Sequence, residues 1–122
     1  QYTKEELTNY IANAKQDIAT AGQFRFVIDF RNTPIGFIDL FDYTTDSAGV
    51  GVIITKKYRG RGFAKEVLKL LIDYATNTLK IEKLHCNIQE DNFASIKLFT
   101  SCGFELEKEE KELKYFVKLA KN

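Results

Sequence analysis

Cysteine occurs only twice in the 122 residues, and histidine and proline once each. Cys86 and Cys102 cannot build a framework of several bridges, and with a single histidine they cannot complete a four-ligand zinc site without carboxylates. Neither disulfide scaffolding nor a bound metal is expected. Charge of one sign is also lacking: 18 Lys and Arg stand against 17 Asp and Glu. A net charge of +1 makes no global field for a polyanion, so no nucleic-acid partner is expected. Long apolar runs are missing too. The longest, Val50 to Ile54, is far short of the roughly 20 residues of a membrane-spanning helix, and no basic-then-apolar signal opens the chain. A cytoplasmic protein without a membrane partner is the expectation. The first residue is Gln1, as in an internal stretch of a longer product.

What is present is material for a core: 44% hydrophobic residues, with ten Phe and six Tyr. At this length a fold buries roughly two thirds of the unfolded chain's surface, and residues 1–122 read as one domain. Thr3 and Glu6 have the spacing of a capping box, and Leu7, Tyr10, Ile11, Ala14 and Ile18 recur on one helical face until Gly22. From Phe24 the period becomes two. Phe24, Phe26, Ile28 and Phe30 share a face, Asn32-Thr33-Pro34 turns the chain, and Ile35 to Phe41 returns as the second arm of a hairpin. Val50 to Thr55 is a β-branched run of the kind found in mid-sheet. A helix is expected from Phe63 to about Leu79, then a strand in which Leu84, Cys86 and Ile88 alternate with polar residues. A short helix capped by Asp91 or Asn92 ends at Gly103, and after a charged turn Leu113, Tyr115, Val117 and Leu119 alternate again. The order helix, strand, strand, strand, helix, strand, helix, strand, strand makes a mixed α/β domain.

Chemistry concentrates where the β-branched run gives way to the long helix. Lys56, Lys57, Arg59, Arg61 and Lys65 fall in one window without an acid, which leaves the rest of the chain net negative. A helix N-terminus already offers outward N–H donors and roughly half a positive charge, and glycines let a phosphate approach the backbone. These features describe a pyrophosphate cradle. Neither a P-loop (Gly, four residues, Gly-Lys-Ser/Thr) nor a Gly-x-Gly-x-x-Gly fingerprint is present.

Arg59-Gly60-Arg61-Gly62-Phe63-Ala64 resembles the Arg/Gln-x-x-Gly-x-Gly/Ala motif of the GCN5-related N-acetyltransferases. Asn92-Phe93-Ala94-Ser95-Ile96-Lys97-Leu98-Phe99 followed by Gly103-Phe104 resembles the second signature of that family. Asp39-Leu40-Phe41-Asp42 and Ala48-Gly49-Val50-Gly51 are similar to the branch containing ribosomal-protein and spermidine acetyltransferases. The resemblance implies a largely antiparallel twisted sheet with a splayed parallel strand pair, flanked by helices, and acetyl-coenzyme A as acetyl donor. It implies direct transfer to an amine such as a polyamine, an aminosugar or a protein N-terminus, in a monomer or homodimer. Gly60, Arg61, Gly62, Phe63 and Ala64 with Arg59 become the coenzyme loop. Ile53 and Ile54 become the backbone that pairs with pantetheine, and Asn92 and Phe99 the coenzyme contacts of the second helix.

The chain also departs from the family. Phe99 stands where many relatives place a proton-donating Tyr, and Gly49 and Asn87 stand where some place a glutamate base. The family's opening strand and helix are expected to be missing, and its last hairpin is usually longer than Glu105 to Leu119. Asp39 and Asn87 are the residues left to act on the acceptor, Asp39 by steering the amine or relaying its proton through water and Asn87 by holding a water. Asp39 reads equally as a structural acid with a partner. Asp42 reads as a turn residue, His85 as an ordinary sheet-face histidine, and Cys86 as a small core residue. The rival to an enzyme is a binding module that keeps the fold and has lost turnover.

Overall fold

The structure, a computed structural model, describes residues 24–120. The helix expected between Thr3 and Gly22 lies outside them. Strands β1 (Phe24–Phe30), β2 (Thr33–Phe41) and β3 (Ser47–Ile54) are followed by a 3-10 turn (Lys56–Tyr58) and helix α1 (Phe63–Asn77). Then come β4 (Lys83–Gln89), α2 (Phe93–Ser101), β5 (Glu105–Glu110) and β6 (Leu113–Leu119). The six strands form one sheet in the order β1-β2-β3-β4-β6-β5. All neighbours are antiparallel except β3 and β4. The expected mixed α/β architecture with one parallel pair is what the chain adopts.

Alternation decides which face is core. Phe26 and Ile28, Ile38 and Leu40, Val50 and Ile54, and Leu84, Cys86 and Ile88 are buried together with Phe63, Val67, Leu68, Leu71 and Ala75 of α1 and Phe99 of α2. Burying a Leu, Ile or Phe contributes about 1.5–3 kcal/mol, so the even-numbered strand residues and the helices over them carry most of the stability. Strict alternation along β2 would put Asp39 on one face with Ile35, Phe37 and Phe41. A register irregularity between Ile28 and Asp29 instead turns Ile35 into the core with Ile38, and Asp39 keeps only Phe37 and Phe41.

β5 is an edge strand with all six residues exposed. Its run of glutamates blunts an otherwise open edge against pairing with another chain. Among the described residues no helix is long and apolar enough to cross a membrane.

Candidate active site

β3 and β4 pair only over Ser47↔Lys83, Ala48↔Leu84 and Gly49↔His85. Beyond that point β4 stays with β6 as far as Gln89↔Leu113, while β3 stays with β2 as far as Ile54↔Gly36. The sheet therefore splits between two strands that run the same way. The Thr55 N–H donates to the Ile35 carbonyl at 2.7 Å, and closely bonded pairs recur at every second residue of an antiparallel ladder. Hence the backbone groups of Gly51 and Ile53 point to β2, and those of Val52 and Ile54 point to the edge that β4 has left.

A cleft of about 440 Å³ opens at this split, within the ordinary size of a ligand site. Val52, Ile53 and Ile54 form one wall, and Asn92, Ala94, Ser95 and Leu98 of α2 form another. The loop residues Tyr58, Arg59, Gly60 and Gly62 and the first turn of α1 complete it. Gly62 is the N-cap of α1 at φ 83 and no side chain caps the helix. Its first backbone bond runs from Glu66 N–H to the Gly62 carbonyl at 3.1 Å, so the amides of Ala64 and Lys65 precede the ladder at the positive end of a 15-residue helix. Arg59 Nε donates to the Ile54 carbonyl at 2.8 Å and ties the loop to the end of β3. Tyr58 holds it from below, its ring edge-on to Phe30 at 6.2 Å and to Phe63 at 6.1 Å. Among the described residues none of the five cations of the window is in an ion pair, so their charge is available to an anion.

The opposite face of the sheet is laid out in rows. Arg25, Asp39 and Gly51 lie across β1, β2 and β3, and Asn87 and Tyr115 continue that level on β4 and β6. One level back, Phe41 leans across Gly49 and meets His85 edge-on, with ring centroids 6.0 Å apart. Asp39 is not a free acid: Arg25 donates to both of its oxygens, Nε to Oδ1 at 2.9 Å and Nη2 to Oδ2 at 3.1 Å. The guanidinium is stacked 3.7 Å above the Phe37 ring, and its hydrogen bond to Asp39 raises its pKa further. Asn87 is exposed beside His85, Tyr115 and Lys108 in a shallow groove of about 270 Å³. Cys86 faces the core, where burial pushes its thiol up to about 12. Among the described residues no cluster of three His, Cys, Asp or Glu side chains is arranged for a metal.

The cleft thus gathers Ile53, Ile54, Arg59, Gly60, Gly62, Phe63, Ala64 and Asn92. Three of the expected contacts differ. Phe99 does not line the cleft: it is buried and packs edge-on against Phe104 at 5.0 Å, because its position on α2 faces the sheet. The Arg61 side chain turns over the Tyr58 ring, 5.3 Å from its centroid, and is outside the lining. Ile53 lines the cleft half-exposed, but its backbone pairs with Phe37 on β2 and does not face the split. Asn92 is both a wall residue and a cap, its side-chain oxygen accepting from the Ser95 N–H at 3.2 Å. Tyr58, Val52 and Leu98 were not foreseen; Tyr58 lay inside the cation window, the one signal that pointed to it.

A family model described as an acetyltransferase (GNAT) domain matches residues 1–105. The chain belongs to this family. A spermidine N(1)-acetyltransferase of Vibrio cholerae is 30% identical over 83 residues, 66% of this chain and 48% of its own length. The chain thus spans about half the length of that curated relative. Among solved structures, the spermidine N-acetyltransferase of Vibrio cholerae in complex with CoA and spermine superposes with a TM-score of 0.77 at 22% identity, over 91% of this chain and 73% of that one. The Campylobacter jejuni N-acetyltransferase PseH in complex with acetyl coenzyme A gives 0.75 at 20% identity, over 96% and 82%. The fold is the GNAT fold, and the sequence places the chain near the spermidine acetyltransferase branch.

Proposed function

We propose that this GNAT domain binds acetyl-coenzyme A in the cleft between β3 and β4 and passes the acetyl group directly to an amine. The observation that carries this is the coincidence of the strand split with a helix N-terminus that no side chain caps and with cations that form no ion pair among the described residues. The residues fit the coenzyme. At Gly60 (φ 77) and Gly62 (φ 83) an added Cβ would meet no described atom within 4 Å, so the loop leaves room for a phosphate against its backbone. The amides of Ala64 and Lys65 would hold the pyrophosphate, Arg59 fixes the loop, and the β3 edge from Val50 to Ile54 would hold the pantetheine arm. Bound there, acetyl-coenzyme A supplies a thioester already activated toward amines.

The protein's part is orientation. Fixing an amine against the acyl carbon supplies much of the acceleration, and the outward amide of Val52 is a donor for the acyl oxygen as charge develops there. Arg25 and Asp39 act as a positioning pair on the acceptor side, and Asn87 holds a water that carries the amine proton away. Polyamines, aminosugars and protein N-termini are the acceptor classes in view. Titrating acetyl-coenzyme A by calorimetry, then following coenzyme A release over spermidine, glucosamine and a free peptide N-terminus, tests this reading.

A second reading is favoured by Phe99, which is buried where the family pattern has a proton donor, and by the engagement of Asp39 with Arg25. In it the domain binds the coenzyme without turnover. Binding with no release over the whole panel is its signature.

A further inference from the structure

Six glycines lie among the described residues, and five have a local reason to be there. Gly60, Gly62 and Gly103 have φ of 77, 83 and 98, where other residues are strained. A Cβ on Gly36 would overlap the Ile53 carbonyl oxygen, and one on Gly49 would overlap the Phe41 ring. Gly51 has none of these reasons. Its φ is not in the left-handed region, and a Cβ there would meet no described atom within 4 Å.

Glycine inside a strand weakens it, and β-branched residues are preferred there. An unexplained glycine in a mid-sheet strand marks a place where something approaches the backbone closely.

The position says what approaches. The backbone of Gly51 is paired with Asp39, and its missing side chain would project from the face opposite the α1 and α2 side of the core. The last parallel pair is Gly49↔His85, so Gly51 and Asn87, each two residues further on, face one another across the split. On the far side of Gly51 stands the Arg25–Asp39 pair, and on the far side of Asn87 stands Tyr115. The coenzyme loop lies toward the helices; the open floor lies on the other face.

We infer that Gly51 is the specificity-determining residue for the acceptor, its absent side chain leaving the floor over which the amine reaches the split between β3 and β4. This rests on the acetyl-transfer reading and adds the residue that sets acceptor size.

The test compares wild type with Gly51→Ala, Gly51→Val and Gly51→Cys in the full chain. Because the site is open among the described residues and strand-compatible, Gly51→Val should unfold at the same or a higher denaturant concentration than wild type and bind acetyl-coenzyme A within about twofold of it. Its kcat/KM toward whichever of spermidine and glucosamine wild type accepts should fall by about 10–200-fold, mostly in KM, with Gly51→Ala between. In Gly51→Cys the introduced thiolate should attack the thioester carbonyl of bound acetyl-coenzyme A. A new sulfur–acyl bond forms, the coenzyme's own carbon–sulfur bond breaks, and coenzyme A leaves as the thiol; peptide mass spectrometry reads the acetyl group at position 51.

Wild type that fails to bind acetyl-coenzyme A overturns the acetyl-transfer reading itself. Coenzyme bound but turnover unchanged in Gly51→Val overturns only the role of Gly51. If wild type binds the coenzyme and acetylates neither amine, acetylation at position 51 supports the inference and an unmodified thiol overturns it.

Discussion

Replacing Gly62 separates two things that the loop does. Its φ of 83 and ψ of 2 place it in the left-handed region, where an L-residue costs roughly 1–2 kcal/mol and asparagine less. No described atom lies within 4 Å of an added Cβ, so Gly62→Ala carries this backbone cost and no clash. Against a typical stability of about 5–15 kcal/mol the variant stays folded. Gly62→Asn should lose less, and Gly62→Val more, because a β-branched side chain is poorly tolerated at positive φ. Binding should follow a different order. The Cβ projects into the space a phosphate needs, and each charge-assisted hydrogen bond lost is worth about 1.5–3 kcal/mol, so one such loss lowers affinity at least about tenfold. Urea unfolding and calorimetry with acetyl-coenzyme A, run on the same preparations, read the two effects. Gly62→Asn, nearly as stable as wild type, should still bind weakly. If Gly62→Ala or Gly62→Asn binds acetyl-coenzyme A as tightly as wild type, the backbone of this loop is not the phosphate site.

Asp39→Asn and Arg25→Gln should lower turnover by similar factors and leave coenzyme affinity unchanged, because the two side chains form one bidentate unit; a large loss in Asp39→Asn with a harmless Arg25→Gln would show Asp39 acting as a lone base. The double variant Cys86→Ala, Cys102→Ala should keep its turnover per folded molecule, and wild type should yield no acetyl-cysteine, since direct transfer needs no covalent carrier; parallel-line kinetics would contradict this. Burial lifts the Cys86 thiol from 9.0 to about 12, so above pH 9 the unfolded chain releases a proton that the folded chain keeps. Its contribution is whole below about pH 9 and is lost as pH rises toward about 12. Stability measured by urea unfolding should therefore fall less steeply over that window in Cys86→Ala than in wild type, and equal slopes would refute the assignment.

Much of this was legible in the letters because it is local. The alternation of Phe26 with Ile28 and of Leu84, Cys86 and Ile88 identified core faces, and the cation window marked the loop of the cleft. What depends on pairing across the sheet was not. Ile35 turns inward because the β1–β2 register shifts at Ile28, which no pattern in β2 alone reveals. β3 starts at Ser47, three residues before its β-branched run, because pairing with β4 at Ser47, Ala48 and Gly49 and with β2 at Gly49 holds this stretch without a β-branched side chain. β5 has no buried residue: two closing strands were expected, but with no period to read, the bounds of the first come only from its pairing with β6. The Arg25–Asp39 pair joins residues 14 apart, and the burial of Phe99 follows from which side of α2 meets Phe104.

Transfer of isotopically labelled acetyl from acetyl-coenzyme A to an amine is the most direct measurement. The full chain is incubated with the labelled donor and spermidine, glucosamine or a free peptide N-terminus, with Gly62→Ala as control. Label on the amine nitrogen of at least one acceptor, with stoichiometric release of coenzyme A and sharply reduced in the control, is the predicted result. A chain that does not bind acetyl-coenzyme A, or binds it and leaves every amine unlabelled, would contradict it.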